Sequence, residues 1–208
     1  MNYTMKLTDN GYILRKDEFS TREIQDIKQD LTVKPFVMNT FNQGNEIKFT
    51  TYLESPHKLY LPRFYGQQKW GIPSKITLGG EKINLQFKGS LRKEQQPIYD
   101  TCMKQLQSIG GGILSLKCGG GKTILSLYVA SQLNYKTIVV VHKDFLMTQW
   151  YDRIQQFLPN ARIGKIQQDT VDIHDKDIVL AMVQSVSVKD YPEEVFQQFG
   201  FAVFDEFH

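Results

Sequence analysis

The sequence predicts an α/β protein in two parts: a small α+β or mostly β module over residues 1–88, then a parallel, doubly wound sheet over 89–208. Beyond Gly110, short apolar runs alternate with segments of helical period, the pattern of successive right-handed βαβ units. Before Ser90 the runs are short and alternating, and Pro35, Pro56, Pro62 and Pro73 lie around and between them. Charge divides at the same place, with 13 Lys and Arg against 9 Asp and Glu in residues 1–90, and 12 against 13 in residues 91–208.

The elements follow in chain order. In "STREIQDIKQDL", Ser20 and Glu23 have capping-box spacing, and Ile24, Ile27 and Leu31 share one helical face. "NEIKFTTYL" and "EKINLQFKG" alternate as strands do. "GGILSLKC" is a short apolar run, and "KTILSLYVASQL" after it carries Leu125, Val129 and Leu133 at helical spacing. "KTIVVVH" is nearly continuous and β-branched, as a strand buried on both faces should be. "DFLMTQWYDRIQQFL" aligns Leu146, Trp150, Ile154 and Leu158 along one side of a helix. "DIVLAMV" and "FAVF" are two further buried-strand candidates, with the helix candidate "YPEEVFQQF" between them.

Composition sets outer limits. At 41% hydrophobic and 23% charged the chain is globular, and none of its apolar runs nears the ~20 residues of a membrane span. The polar N-terminus lacks a signal peptide's apolar stretch, and two cysteines are too few for a disulfide framework, so an intracellular protein away from membranes is expected. The four histidines lack metal-ligand spacing. Between Ser55 and Ser90, six bases face one acid, interleaved with Tyr60, Phe64, Tyr65 and Trp70. A polyanion-binding surface gripping duplex DNA through Arg63, Lys69 and Lys75 would look like this, and so would a solvated face over a small aromatic core.

The most informative stretch is "LSLKCGGGKT". Glycines are needed where backbone amides converge on one anion, and Gly119, Gly120 and Gly121 stand between an apolar run and the head of a helix. Lys122 can reach the β and γ phosphates of ATP, and Thr123 can ligate Mg²⁺. Leu116 occupies the place where the strict pattern has its first glycine. Farther along, "FAVFDEFH" delivers Asp205 and Glu206 at the C-terminal end of a strand, where open α/β sheets bind ligands. Asp205 is placed to hold Mg²⁺, directly or through its water shell, and Glu206 to orient and deprotonate an attacking water.

"GGGKT" with "DEFH" resembles motifs I and II of superfamily 2 helicases of the DExH group, where loss of the first glycine is ordinary. "LRKEQ", "LKCGGGKT", "VVVHKDFLMTQW", "AMVQSVS" and "FAVFDEFH" together resemble the DNA helicases of large cytoplasmic DNA viruses: the poxvirus transcript-release type and its asfarvirus relatives, akin to the DNA translocase of transcription factor IIH. "LTVKP" and "LPRFYG" extend the likeness toward the N-terminus. The resemblance implies a RecA-like P-loop domain, ATP and Mg²⁺ as cofactors, and 3′ to 5′ movement on DNA or an RNA–DNA hybrid. It further implies action in viral transcription or DNA metabolism, with transcription machinery as partner, in the host cytoplasm or the virion.

Residue by residue, Gln95 would contact adenine, Gln149 and Trp150 would lie on the nucleic-acid side, Ser185 would offer its hydroxyl to a backbone phosphate, and His208 would couple the two sites. Trp150 is better suited to the core, while Gln149 and Ser185 fit either reading. The sequence ends at His208, directly after motif II. A second RecA-like domain, in cis or in trans, is therefore expected to supply the arginine that stabilises the γ-phosphate, worth ~10³ or more in rate. Without it hydrolysis should be very slow, and the last strand should present an open edge. The alternatives are a truncated or split module that binds nucleotide and nucleic acid without catalysis, and a P-loop motor outside the helicases, such as that of a restriction system.

Overall fold

The computed structural model describes residues 5–34, 48–117 and 119–205. Two compact units divide between Leu78 and Gly79.

In the first unit, β1 (Lys6–Thr8) and β2 (Gly11–Arg15) form an antiparallel hairpin, followed by α1 (Thr21–Asp30). The predicted capping box is present in both halves: Ser20 Oγ accepts from the Glu23 amide at 3.3 Å, and Glu23 Oε2 accepts from the Ser20 amide at 2.8 Å. Next come β3 (Thr32–Val33), β4 (Phe49–Thr50), β5 (Leu53–Glu54), β6 (Lys58–Leu61), α2 (Arg63–Trp70) and β7 (Lys75–Thr77). The main sheet runs β5-β6-β2-β1-β7, antiparallel except for the parallel β1–β7 pair. Residues 45–47 of the run expected over 45–53 lie outside the described residues, and the rest forms β4 and β5.

Tyr12 is fully buried at the centre of this unit, with its hydroxyl donating to the Gly71 carbonyl at 3.1 Å. Helix α2 lies so close that a Cβ on Gly66 would fall 2.2 Å from Tyr12 Cγ. Trp70 stacks on Tyr12 at 6.1 Å and meets Phe19 and Tyr65 edge-on. Tyr65 and Trp70 therefore pack into an aromatic core, while Phe64 remains 50% exposed.

The second unit contains α3 (Gln96–Ile109), α4 (Lys122–Leu133), β8 (Thr137–Val141), α5 (Asp144–Phe157), β9 (Ile163–Gln167), β10 (Thr170–Asp172), β11 (Ile178–Met182), α6 (Val183–Val188), α7 (Glu194–Gln197) and β12 (Phe201–Phe204). Its sheet runs β10-β9-β11-β8-β12, parallel throughout except for the antiparallel edge strand β10. Alternate residues of β8 enter different cores: Val139 and Val141 face the side of α5 with Trp150 and Ile154, whereas Ile138 and Val140 face Ile166, Val179 and Ala181. Burial on both faces explains why "TIVVV" shows no alternation.

Three expected elements need correction. The compact units divide ten residues before the expected domain boundary at 88/89, because the stretch after Gly79 belongs to the second unit. Ile83, Leu85 and Phe87 pack on its core, and the Glu81, Ile83 and Lys88 amides donate to Gln198, Asn134 and Phe157 carbonyls. "EKINLQFKG" is thus an extended strap with one bridge, Lys82 to Tyr135, rather than a strand of the first module. "GGILSLKC" forms no strand among its described residues: an apolar run becomes a strand only by pairing, no ladder reaches it, and Ile113 is 97% exposed. The predicted helix over "YPEEVFQQF" contracts to the four residues of α7. Strand β12 lies at the edge of the described sheet, with Phe204 58% exposed.

Candidate nucleotide site

Connectivity fixes where the two motifs meet. Only residues 134–136 separate the end of α4 from the start of β8, so α4 runs back along the sheet and its N-terminus lies toward the C-terminal ends of the parallel strands. Asp205 follows β12, whose Phe204 pairs in register with Val140 of β8, and the Asp205 amide donates to the Val140 carbonyl at 3.0 Å. With α4 packed against β12 and α5, Gly119–Thr123 and Asp205 share one edge of the sheet.

The loop's backbone requires glycine at two points. Gly119 and Gly121 adopt φ of +75° and +83°, and Gly121 is the N-cap of α4. A glycine N-cap brings no side-chain acceptor, so no side chain caps the first turn of α4, whose amides have no partner within the helix. An anion is the natural cap for such a terminus, favoured by the helix dipole. A Cβ on Gly119 would meet nothing within 4 Å. The Gly120 amide donates to the Lys117 carbonyl at 3.0 Å, and Lys122 Nζ rests 3.5 Å from the Leu116 carbonyl.

A brace under the loop comes from "LRKEQ". Gln95 is 3% exposed; its Oε1 accepts from the Arg92 amide at 3.0 Å and its Nε2 donates to the Gly120 carbonyl at 3.4 Å. Arg92 Nη2 donates to the same carbonyl at 3.3 Å. Gln95 thus touches the glycine loop itself, and a Cβ on Gly121 would come 2.4 Å from its Nε2. No role for Arg92 is apparent from the sequence, where its spacing from Gln95 is the available signal.

On the other side, Trp150 is 1% exposed and anchors α5 in the core, while its indole N–H donates to Asp205 Oδ2 at 2.7 Å. Sequence periodicity identified Trp150 as core-facing but could not show that its one polar atom reaches the carboxylate. Glu206 and His208 lie outside the described residues.

The remaining site residues lie as follows. Gln149 is exposed on α5, whose N-terminus follows β8 at the same edge. Ser185, in the first turn of α6, is 9% exposed, and its Oγ accepts from the Gln168 amide at 2.8 Å. Gln184 beside it donates to the His142 carbonyl at 3.0 Å, tying α6 to the end of β8. In the first unit, Lys75 is exposed, while Lys69 is paired with Asp30 at 2.6 Å and lies 4.7 Å over the Tyr65 ring. Hydrogen bonding to Asp30 raises the Lys69 pKa, and that same bond lowers Asp30's. Arg63 is partly buried, which lowers its pKa against the opposing charge of Asp9. Among the described residues no helix is long and apolar enough to cross a membrane.

These residues fit a nucleotide with its metal: two left-handed glycines opening an uncapped helix, an amine beside the loop, the Thr123 hydroxyl in the first helical turn, and a carboxylate with one oxygen fixed by an indole.

Residues 88–208 match the family described as Type III restriction enzyme, res subunit. The whole chain is 35% identical, over 216 aligned residues, to an Acanthamoeba polyphaga mimivirus protein named as an ATP-dependent RNA helicase, and spans 41% of that protein's length. An African swine fever virus protein with the same kind of name is 32% identical over 120 residues, covering 55% of this chain and 23% of its own. A solved Sulfolobus solfataricus SWI2/SNF2 ATPase core in complex with double-stranded DNA aligns over 60% of this chain and 33% of its own, at 19% identity and a TM-score of 0.45, too distant to carry an argument.

Proposed function

Because the chain belongs to the Type III restriction enzyme res-subunit family, one of the superfamily 2 helicase families, we propose that it is the nucleotide-binding part of an ATP-driven motor that tracks along duplex DNA. The observation that carries this reading is the uncapped head of α4 behind Gly119–Gly121, on the same sheet edge as Asp205. ATP enters with its phosphates over that helix head. The Gly120 amide and Lys122 ammonium exchange the Lys117 and Leu116 carbonyls for phosphate oxygens, and the Gln95 and Arg92 brace keeps Gly120 in place. Thr123 and Asp205 would hold Mg²⁺, which would supply positive charge to offset that of the phosphates. Glu206 orients the attacking water.

DNA is proposed as the track from the likeness of "VVVHKDFLMTQW" and "AMVQSVS" to the viral DNA helicases; the RNA-helicase names of the mimivirus and African swine fever virus relatives favour RNA as the second reading. Gln149 at the sheet edge and the Ser185 hydroxyl are assigned to the nucleic-acid side, with His208 coupling it to the nucleotide. A second RecA-like domain, in cis or in trans, completes the catalytic arrangement, with transcription in infected cytoplasm as its setting.

The test is binding of a fluorescent ATP analogue to the chain with Mg²⁺, alone and with duplex DNA or duplex RNA added. Tight binding lost in Lys122→Ala, and coupled to DNA more strongly than to RNA, supports the reading. No nucleotide binding rejects it, and stronger coupling to RNA moves the track to RNA.

A further inference from the structure

We propose that Trp150 is the positioning residue for the metal-holding carboxylate: its indole N–H fixes Asp205 Oδ2 so that Oδ1 is presented to Mg²⁺. This rests on the ATP and Mg²⁺ reading above. The geometry is specific. Asp205 follows the last residue of an edge strand whose Phe204 is largely exposed, so the strand alone leaves the carboxylate free to rotate. Among the described residues its backbone is held by the bond from its amide to the Val140 carbonyl. The side chain is fixed by Trp150, and Trp150 is immobile: it is 1% exposed and packed in the core cluster that includes Val139, Val141, Leu146 and Ile154. The 2.7 Å contact is a charge-assisted hydrogen bond from a rigid donor to one oxygen of a carboxylate.

Indole carries one donor and no acceptor, so the bond has one polarity. It occupies Oδ2 and leaves the lone pairs of Oδ1 for the metal or its water. Outer-shell donors of this kind typically change metal affinity about 10- to 100-fold when removed. A residue serving only the core would need no polar atom here.

The experiment measures affinity of the full chain for fluorescent ADP in excess EDTA and in saturating Mg²⁺, for wild type, Trp150→Phe and Asp205→Asn. Expected are a Mg²⁺ enhancement, the ratio of the two affinities, in wild type, its loss in Asp205→Asn, and its reduction by roughly tenfold in Trp150→Phe. Equal enhancement in wild type and Trp150→Phe overturns the proposal while leaving the nucleotide reading intact. Absence of nucleotide binding in wild type overturns both.

A second measurement avoids any defect in folding. The chain has two tryptophans, Trp70 and Trp150, so its indole N–H region in an NMR spectrum holds two resonances. Adding Mg²⁺ to the ADP complex should move the Trp150 resonance and leave that of Trp70 in place; a stationary Trp150 signal overturns the assignment.

Discussion

Replacing Gly121 by alanine probes the phosphate loop at its tightest point. Two costs add there. Alanine held at φ of +83° loses about 1–2 kcal/mol to left-handed strain. Its Cβ would stand 2.4 Å from Gln95 Nε2, so the buried amide must move off the Gly120 carbonyl, leaving polar groups unsatisfied at about 1–3 kcal/mol. The total, roughly 2–5 kcal/mol against the binding-competent loop, lowers nucleotide affinity by at least about 30-fold at 1.4 kcal/mol per decade. Gly119 supplies the internal control: φ is +75°, yet a Cβ there meets nothing within 4 Å, so Gly119→Ala carries only the backbone cost and loses about 5- to 30-fold. Titration with a fluorescent ATP analogue, beside thermal melts that establish folding, measures both. In a Gln95→Ala background the excess cost at Gly121 should vanish, which a double-mutant cycle isolates. Equal losses at the two glycines, or an excess that survives removal of Gln95, would refute the reasoning.

Lys122→Ala should weaken ATP-analogue binding by more than tenfold at unchanged melting temperature, since the ammonium's contact within the described fold is a long one to Leu116. Ser20→Ala should destabilise the first unit by about 1 kcal/mol in a urea titration, through loss of the capping box. Asp177 is 7% exposed; burial alone would raise its pKa, but Arg162's side-chain and backbone hydrogen bonds prevail and hold it below the ordinary 3.8. Its contribution to stability is complete above that value and lost as pH falls through the depressed pKa, so Asp177→Asn should flatten the acid side of the stability profile measured by denaturant melts. If the first unit grips nucleic acid, Lys75→Ala should flatten the salt dependence of binding more than Lys69→Ala, because Asp30 already compensates Lys69; equal slopes would remove Lys75 from the contact.

What local sequence determined is what depends on neighbours along the chain. The capping box at Ser20 and Glu23, α4 and α5, and the strands at 137–141, 178–182 and 201–204 were legible because period and capping act within a few residues. The glycine loop that opens a helix at Lys122 was legible for the same reason, since left-handed glycines and a helix start are set within a few residues. Tertiary structure alone decided the rest. The run "GGILSLKC" stands where the alternating pattern expects a strand, yet its described residues, 111–117, form none, because a strand needs a partner that no local pattern supplies. The strap from Glu81 to Lys88 alternates like a strand of the first module but lies on the second unit, because its apolar face finds the larger core there. Gln95 bracing Gly120 across 25 residues, and Trp150 reaching Asp205 across 55, are hydrogen bonds whose partners meet only after the sheet and its helices have packed.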